Sequence, residues 1–218
     1  MSKETLVRRL NAVGVTALSD ALDRLAISGQ AIGILPVARG MKFAGPAFTV
    51  QMLPVGLTQG IVGDYIDDVP EGAVVAIDNG GKLDQTVWGD ILTRVAHKKG
   101  VAGTVIDGVC RDSDCCVSLK YPVFSHSVTM RTAKDRSTAH AYDVPIQLVE
   151  VRIDPGDWLV GDSDGVVAIP AGRVEEVVAI AEEVEAAERA ILAAVDAGMR
   201  LDEARRAGGY HALQSRAV

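Results

Sequence analysis

Gly103-Thr-Val-Ile-Asp-Gly-Val-Cys-Arg-Asp112 sets the reading of the whole chain. Its apolar run, residues 101–106, stops at Asp107-Gly108, the pattern of a buried strand whose exit carries polar residues. That exit delivers Arg111 and Asp112 side by side. A guanidinium is a planar fork for a carboxylate, and a carboxylate is a hard oxygen ligand for a divalent cation. The pair suits a site, and it also suits a surface turn closed by a local ion pair. The flanking elements weigh between the two.

Upstream, Pro70-Glu-Gly-Ala-Val-Val-Ala-Ile-Asp78 is a turn feeding a continuous apolar strand, 73–78. It runs into Asp78-Asn-Gly-Gly81, expected as a turn whose backbone N–H groups can cradle an anion. This is not a P-loop, because Gly80-Gly-Lys-Leu83 lacks both the spacing and the Ser or Thr. Val87, Ile91 and Val95 then mark one face of a helix over 88–98, stopped by Gly100. Gly89-Asp90 falls at the start of that helix, where unpaired N–H groups attract anions. Strand 73–78, helix 88–98 and strand 101–106 make a parallel, right-handed unit. Open parallel sheets bind ligands at the carboxyl ends of their strands. Residues 78–81, 89–90 and 111–112 are therefore expected together at one edge, which favours the site over the ion pair.

Around this unit, residues 3–26 read as two helices, with Leu6, Leu10 and Val13 on the first and Leu18, Leu22 and Leu25 on the second. Thr16 or Ser19 is the expected cap of the second. Phe48, Val50 and Met52 alternate with Thr49 and Gln51 as in a half-buried strand. Residues 56–66 read as a short helix or loop, 121–124 as a short strand, and 125–138 as an irregular polar segment whose Arg131, Lys134 and Arg136 are solvated. Residues 144–153 alternate like an edge strand, and 155–170 read as a hairpin turning at Asp164-Gly165. Asp162-x-Asp164 lacks the closing Glu of a calcium loop and is taken as turn material. One long amphipathic helix covers 173–197 and stops at Gly198, with Glu182, Glu183, Glu185 and Glu188 on its acidic side. A short helix from Leu201, ending at Tyr210-His-Ala-Leu, is expected to reach a neighbouring subunit.

The bulk composition narrows the classes. A chain of 218 residues, 48% hydrophobic and 23% charged, is long and apolar enough to bury a sizeable core, which excludes disordered and fibrous classes. Aromatics at 4% leave little for base-stacking platforms, and a net charge of −7 gives no general pull toward nucleic acid or an anionic membrane. Cys110, Cys115 and Cys116 are odd in number and crowded. They read as reduced thiols of a cytoplasmic protein, with no disulfide frame or zinc spacing. The N-terminal stretch has no apolar signal core, and no stretch is long and apolar enough to span a bilayer.

Nucleophile–base triads find little support, since His97, His126, His140 and His211 are scattered and none stands beside a cysteine. What remains is acid–base chemistry around a hard metal, with Asp112 as ligand, Arg111 as anion clamp and Asp90 as second carboxylate. Magnesium or manganese held by one carboxylate keeps several waters. That suits chemistry on a small oxyacid through an enolate.

Four motifs in order, Trp88-Gly-Asp-Ile-Leu, Gly100-Val-Ala-Gly-Thr-Val-Ile-Asp-Gly-Val-Cys-Arg-Asp112, Tyr121-Pro-Val-Phe124 and Pro155-Gly-Asp-Trp…Asp162-Ser-Asp-Gly-Val166, resemble the RraA-like family. This family holds class II 4-hydroxy-4-methyl-2-oxoglutarate aldolases and the regulators of ribonuclease activity A. The resemblance runs over about residues 16–170. The regulators lack the acid after the Arg, and this sequence keeps it as Asp112. The resemblance implies an α/β fold, a single-domain β/β/α swivelling sandwich spanning 1–218. Its core lies at about 16–170, with a C-terminal helical extension over 171–218 and assembly into trimers or hexamers with sites at subunit interfaces. It implies that Asp112 ligates Mg²⁺ or Mn²⁺ and that Arg111 binds the pyruvyl group. Backbone N–H groups at Gly89, Asp90 and Ile91 would hold the substrate carboxylate, and Asp90 would orient a proton-carrying water. Glu185 or Glu188 of a neighbouring subunit is the implied further acid. The implied activity is retro-aldol cleavage of a 4-hydroxy-2-oxo acid to pyruvate, with oxaloacetate decarboxylation as companion. The alternative is a non-catalytic regulator that binds a ribonuclease or RNA helicase.

Overall fold

The computed structural model describes residues 1–57 and 60–209. Its centre is four parallel strands: β2 (Phe43–Pro54), β3 (Val74–Thr86), β4 (Gly103–Cys110) and β5 (Val123–Val128). β4 is buried at all eight positions, as a continuous apolar run requires of a strand covered on both faces. β1 (Leu35–Pro36) pairs antiparallel with β5. β2 is long enough to serve two neighbours on its other edge. Its first residues pair with β9 (Trp158–Asp162), its last with β6 (Ser137–Tyr142). β10 (Gly165–Ile169) closes the expected hairpin on β9. The order is β1-β5-β4-β3-β2-β9-β10, an eight-stranded mixed sheet once β6 is included.

Helices α1 (Lys3–Ala12) and α2 (Val15–Arg24) pack with the long C-terminal helix α5 (Val174–Asp196) against β9 and β10. Leu10, Leu18, Leu22, Val167, Ile169 and Val177 form that apolar layer. The central strands build a second core around Phe43 and Phe124, whose rings meet edge to face at 4.8 Å. Gly161 makes room for them, because a Cβ there would fall 2.8 Å from the Phe43 ring. α5 ends as expected: Gly198 takes φ +93° and Met199 N–H bonds back to the Ala194 carbonyl. The short helix α6 (Leu201–Ala207) follows, and the expected Tyr210-His-Ala-Leu tail lies outside the described residues. Among the described residues no helix is long and apolar enough to cross a membrane.

The strand–helix–strand unit is present, with α3 (Asp90–Lys98) between β3 and β4, but β3 does not stop at Asp78. Gly80 and Gly81, at φ +61° and +66°, swing the chain out. The register with β4 then jumps from Asp78↔Asp107 to Lys82↔Gly108 and Thr86↔Val109. The expected turn is thus an irregularity inside a longer strand, a backbone excursion that glycine permits at little cost. The cap of α2 is also not the expected one. Its cap position is Gly14, and Thr16 and Ser19 lie inside the helix. The first N–H groups are taken by remote acids: Val15 N donates to Asp162 Oδ2 at 3.0 Å and Gly14 N to Glu185 Oε1 at 2.7 Å.

Two further segments are more ordered than expected. Residues 144–153 contain a separate hairpin, β7 (Ile146–Leu148) and β8 (Val151–Ile153), turning at Val149 with φ +56°. The polar segment 125–138 is anchored at both ends, because β5 continues to Val128 and β6 begins at Ser137.

Candidate active site at the start of the third helix

β3 leaves the sheet at Thr86, and after three intervening residues α3 begins at Asp90. β4 ends beside it at Cys110, and Arg111 and Asp112 lead into α4 (Ser113–Ser118), whose cap is Asp112 at φ +55°. The two chain exits are tied together through the backbone, since Arg111 N donates to the Trp88 carbonyl at 3.0 Å. Thr86 Oγ1 donates to the same carbonyl at 2.7 Å and accepts from Trp88 N at 3.2 Å. Gly89 lets the two side chains of the β4 exit approach closely. Its φ of −152° is open to any residue, but a Cβ would stand 2.8 Å from Asp112 Oδ2 and 3.2 Å from Arg111 Nε.

Arg111, Gly89, Asp90 and Ile91 line one cleft of ≈ 540 Å³ with Trp88, Asp64, Asp67 and Lys134. Asp112 is bonded to it: its Oδ2 accepts from Asp90 N at 3.2 Å and forms an ion pair with Arg111, 3.3 Å from Nε. The local ion pair and the cleft are therefore both present. Both side chains remain about two-fifths exposed, at 39% and 40%. Lys134, read from the sequence as a solvated loop residue, faces this cleft as a second cation.

Among the described residues, no group of three or more His, Cys, Asp or Glu converges as a metal cage. What Asp112 offers a cation is one half-exposed carboxylate whose Oδ1 carries no hydrogen bond among the described residues. A hard single-carboxylate site of this kind fits Mg²⁺ or Mn²⁺, which keep most of their water ligands. Cys110, behind Arg111, is fully buried, and burial pushes its thiol up to about 11, which makes it an inert packing residue.

The third expected member of the edge goes elsewhere. Asp78, Gly80 and Gly81 line a different cavity of ≈ 640 Å³ with Asp107, His126, Gln147 and Glu150. Here His126 Nε2 meets Asp107 Oδ1 at 2.7 Å and Nδ1 meets the Gly33 carbonyl at 3.0 Å. Asp107 Oδ2 accepts from Val149 N at 3.1 Å, and Asp78 from Gly80 N and Gln147 N. Sequence spacing gave no sign of this cluster. The pairings Asp78↔Asp107 and Ile106↔Ser125 would have revealed it, since they set the three strand ends side by side. Thr16, Ser19 and Asp20 line a third cavity of ≈ 310 Å³ with Asp164 and Gly165.

The two acids expected from a neighbouring subunit differ. Glu185 is engaged within its own chain, capping α2 through Gly14 N and pairing with Arg189 at 2.9 Å. Glu188 is half-buried and makes no hydrogen bond or ion pair among the described residues.

The chain is similar to Protein DlpA of Legionella pneumophila, 38% identical over 203 residues, which cover 92% of this chain and 33% of that protein. The chain thus spans about a third of that relative's length. It is 34% identical over 189 residues to a Halalkalibacterium halodurans protein named "Putative 4-hydroxy-4-methyl-2-oxoglutarate aldolase", covering 85% of this chain and 88% of the other. Among solved structures it superposes with a TM-score of 0.78 on Streptomyces coelicolor RraAS2, described as an unusual member of the RNase ES inhibitor RraA protein family. The two are 31% identical, covering 85% of this chain and 94% of the other. The RraA-like family model, described as Aldolase/RraA, matches residues 15–168, from the start of α2 into β10. The chain belongs to the RraA-like family.

Proposed function

We propose that the protein is a divalent-metal-dependent carbon–carbon lyase that cleaves 4-hydroxy-4-methyl-2-oxoglutarate, or a related 4-hydroxy-2-oxo acid, to pyruvate. Oxaloacetate decarboxylation is the companion activity. The observation that carries this is that Arg111 and the α3 N-terminus line one cleft and that Asp112 Oδ2 is bonded to Asp90 N of that lining. The resemblance of the chain to a protein named as an aldolase supports it.

In this reading the substrate carboxylate lies against the N–H groups of Gly89 and Ile91 at the start of α3, which have no carbonyl behind them, while the Asp90 N–H between them is held by Asp112 Oδ2. Arg111 donates to the 2-oxo oxygen and stabilises the negative charge that gathers there as the C3–C4 bond breaks. Asp112 would hold Mg²⁺ or Mn²⁺, which would supply Lewis-acid polarisation of the same carbonyl. Asp90 orients the water that takes the proton of the 4-hydroxyl and returns a proton to C3 of the enolate. Oxaloacetate yields the same enolate on losing carbon dioxide, so one constellation serves both reactions. Lys134 supplies a second positive charge to the cleft for a substrate carrying two carboxylates.

The assembly is proposed to be a trimer or hexamer with this cleft near a subunit boundary. Exposed Ile61 and Ile91 on the cleft support a covering neighbour. Glu188, rather than Glu185, is the acid left available for a neighbouring site.

The test is pyruvate release from both substrates, with and without Mg²⁺ or Mn²⁺, for the wild type and Asp112→Ala. Metal-dependent release abolished in Asp112→Ala is expected. Metal-independent turnover, or a fully active variant, would sink the proposal. No release from a panel of 4-hydroxy-2-oxo acids would shift weight to the regulator reading.

A further inference from the structure

We propose that Thr93 is a positioning residue for the Asp112 carboxylate, acting through the peptide that joins Gly89 to Asp90. The inference rests on the reading of Asp112 as the metal ligand given above.

Thr93 is fully buried in α3, one turn after Gly89. Its Oγ1 accepts from the Trp88 indole Nε1 at 2.9 Å and donates to the Gly89 carbonyl at 2.8 Å. The indole N–H can only donate, so Thr93 Oγ1 accepts from it and keeps its single proton for the Gly89 carbonyl, a stronger acceptor than the Cys116 sulfur 3.5 Å away. Thr93 N also donates to the Gly89 carbonyl, at 3.0 Å, and both lone pairs of that oxygen are used.

A threonine hydroxyl bonded four residues back along a helix is by itself ordinary. What sets this one apart is the other end of the same peptide. In a trans peptide the carbonyl and the following N–H point opposite ways, so fixing one aims the other. The Gly89 carbonyl is held by Thr93, and the Asp90 N–H on the opposite side bonds Asp112 Oδ2 at 3.2 Å. A chain of donors therefore runs from the Trp88 indole through Thr93 and one peptide plane to the carboxylate. It leaves Oδ1 as the oxygen with no hydrogen bond among the described residues. The Trp88 ring is itself held in a near-parallel stack on Tyr121, 6.2 Å between centroids and 9° between planes. Thr93 touches neither substrate nor metal in this scheme.

The experiment is Mn²⁺ titration, read by calorimetry and by the Mn²⁺ paramagnetic resonance signal, on the wild type, Thr93→Val, Thr93→Ser and Trp88→Phe. Partners that orient a metal ligand typically contribute about 10–100-fold to affinity. Thr93→Val, which keeps the shape and loses the hydroxyl, is expected to weaken Mn²⁺ binding by roughly tenfold or more on that scale. Thr93→Ser restores the hydroxyl and is expected to restore binding to within about threefold. Trp88→Phe, which loses the donor that directs Thr93, is expected to fall between them. Thermal melts check that each variant is folded.

Wild-type affinity in Thr93→Val, or equal weakening in Thr93→Val and Thr93→Ser, overturns the role of the hydroxyl. If Thr93→Val does not fold, unchanged affinity in Trp88→Phe overturns it instead. A wild type that binds no Mn²⁺ and releases no pyruvate overturns the functional reading itself, and this inference with it.

Discussion

Gly89 and Asp112 are close enough that no side chain fits between them: a Cβ on Gly89 would lie 2.8 Å from Asp112 Oδ2. The obstacle is contact and not backbone conformation, because φ at Gly89 is −152°. Gly89→Ala is therefore expected to fold with little loss of stability while pushing the Asp112 carboxylate aside. Displacements of about 1 Å at a reacting centre can cost on the order of 100-fold in rate. Pyruvate release should drop by that order while the melting temperature stays near wild type. An equally active Gly89→Ala would show that Asp112 needs no fixed position.

His126 and Asp107 should matter to stability and not to chemistry. Asp107 is 6% exposed and depends on His126 and Val149 N for its hydrogen bonds. Removing one partner of a buried acceptor costs about 1–3 kcal/mol. His126→Ala should lose stability in that range by denaturant titration, yet release pyruvate at the wild-type rate per folded molecule. A rate loss without a stability loss would mean that the second cavity takes part in the reaction.

The Phe43–Phe124 core has no spare volume at Gly161, where a Cβ would meet the Phe43 ring at 2.8 Å and the Phe124 ring at 3.1 Å. Overpacking a well-filled core costs about 1–3 kcal/mol. Gly161→Ala should lower the unfolding free energy by this amount, and a melting temperature equal to wild type would show that the rings repack freely.

Arg9 and Glu182 join α1 to α5 through two hydrogen bonds of 2.7 Å. The hydrogen bond from Arg9 lowers the Glu182 carboxyl below its usual value of 4.5. A depressed folded-state value stabilises the fold above the unfolded value and is lost as pH falls through the folded one. The Glu182 side chain is 42% exposed, so water screens the pair and its contribution is at most about 1 kcal/mol. Arg9→Ala should thus be slightly less stable than wild type at pH 7, and the gap should close on acidification below pH 4.5. A gap that persists at low pH would assign the loss to packing of the Arg9 stem.

The expected strand–helix–strand unit, the 155–170 hairpin and the long helix stopped at Gly198 were legible because each is written in neighbouring residues. Apolar periodicity, a Gly past a helix end and an Asp-Gly turn act over one or two turns of chain. The adjacency of Arg111 and Asp112 and the anion-facing start of α3 belong to the same local class. What only the tertiary structure decided are the contacts between residues far apart in the chain. Asp162 reaches Val15 across 147 positions and Glu185 reaches Gly14 across 171, in place of the expected local cap. The irregularity at Gly80-Gly81 sent Asp78 to the cavity of Asp107 and His126, because strand register and not sequence spacing sets which strand ends meet. The same holds at the opening pair. The sequence alone placed an arginine and an aspartate at a strand exit, and the fold brought Gly89 and the Asp90 N–H against them, with the buried Thr93 holding the Gly89 carbonyl on the other side of that peptide. A periodic pattern specifies which face of an element is buried, and packing then selects which buried and half-buried groups become neighbours.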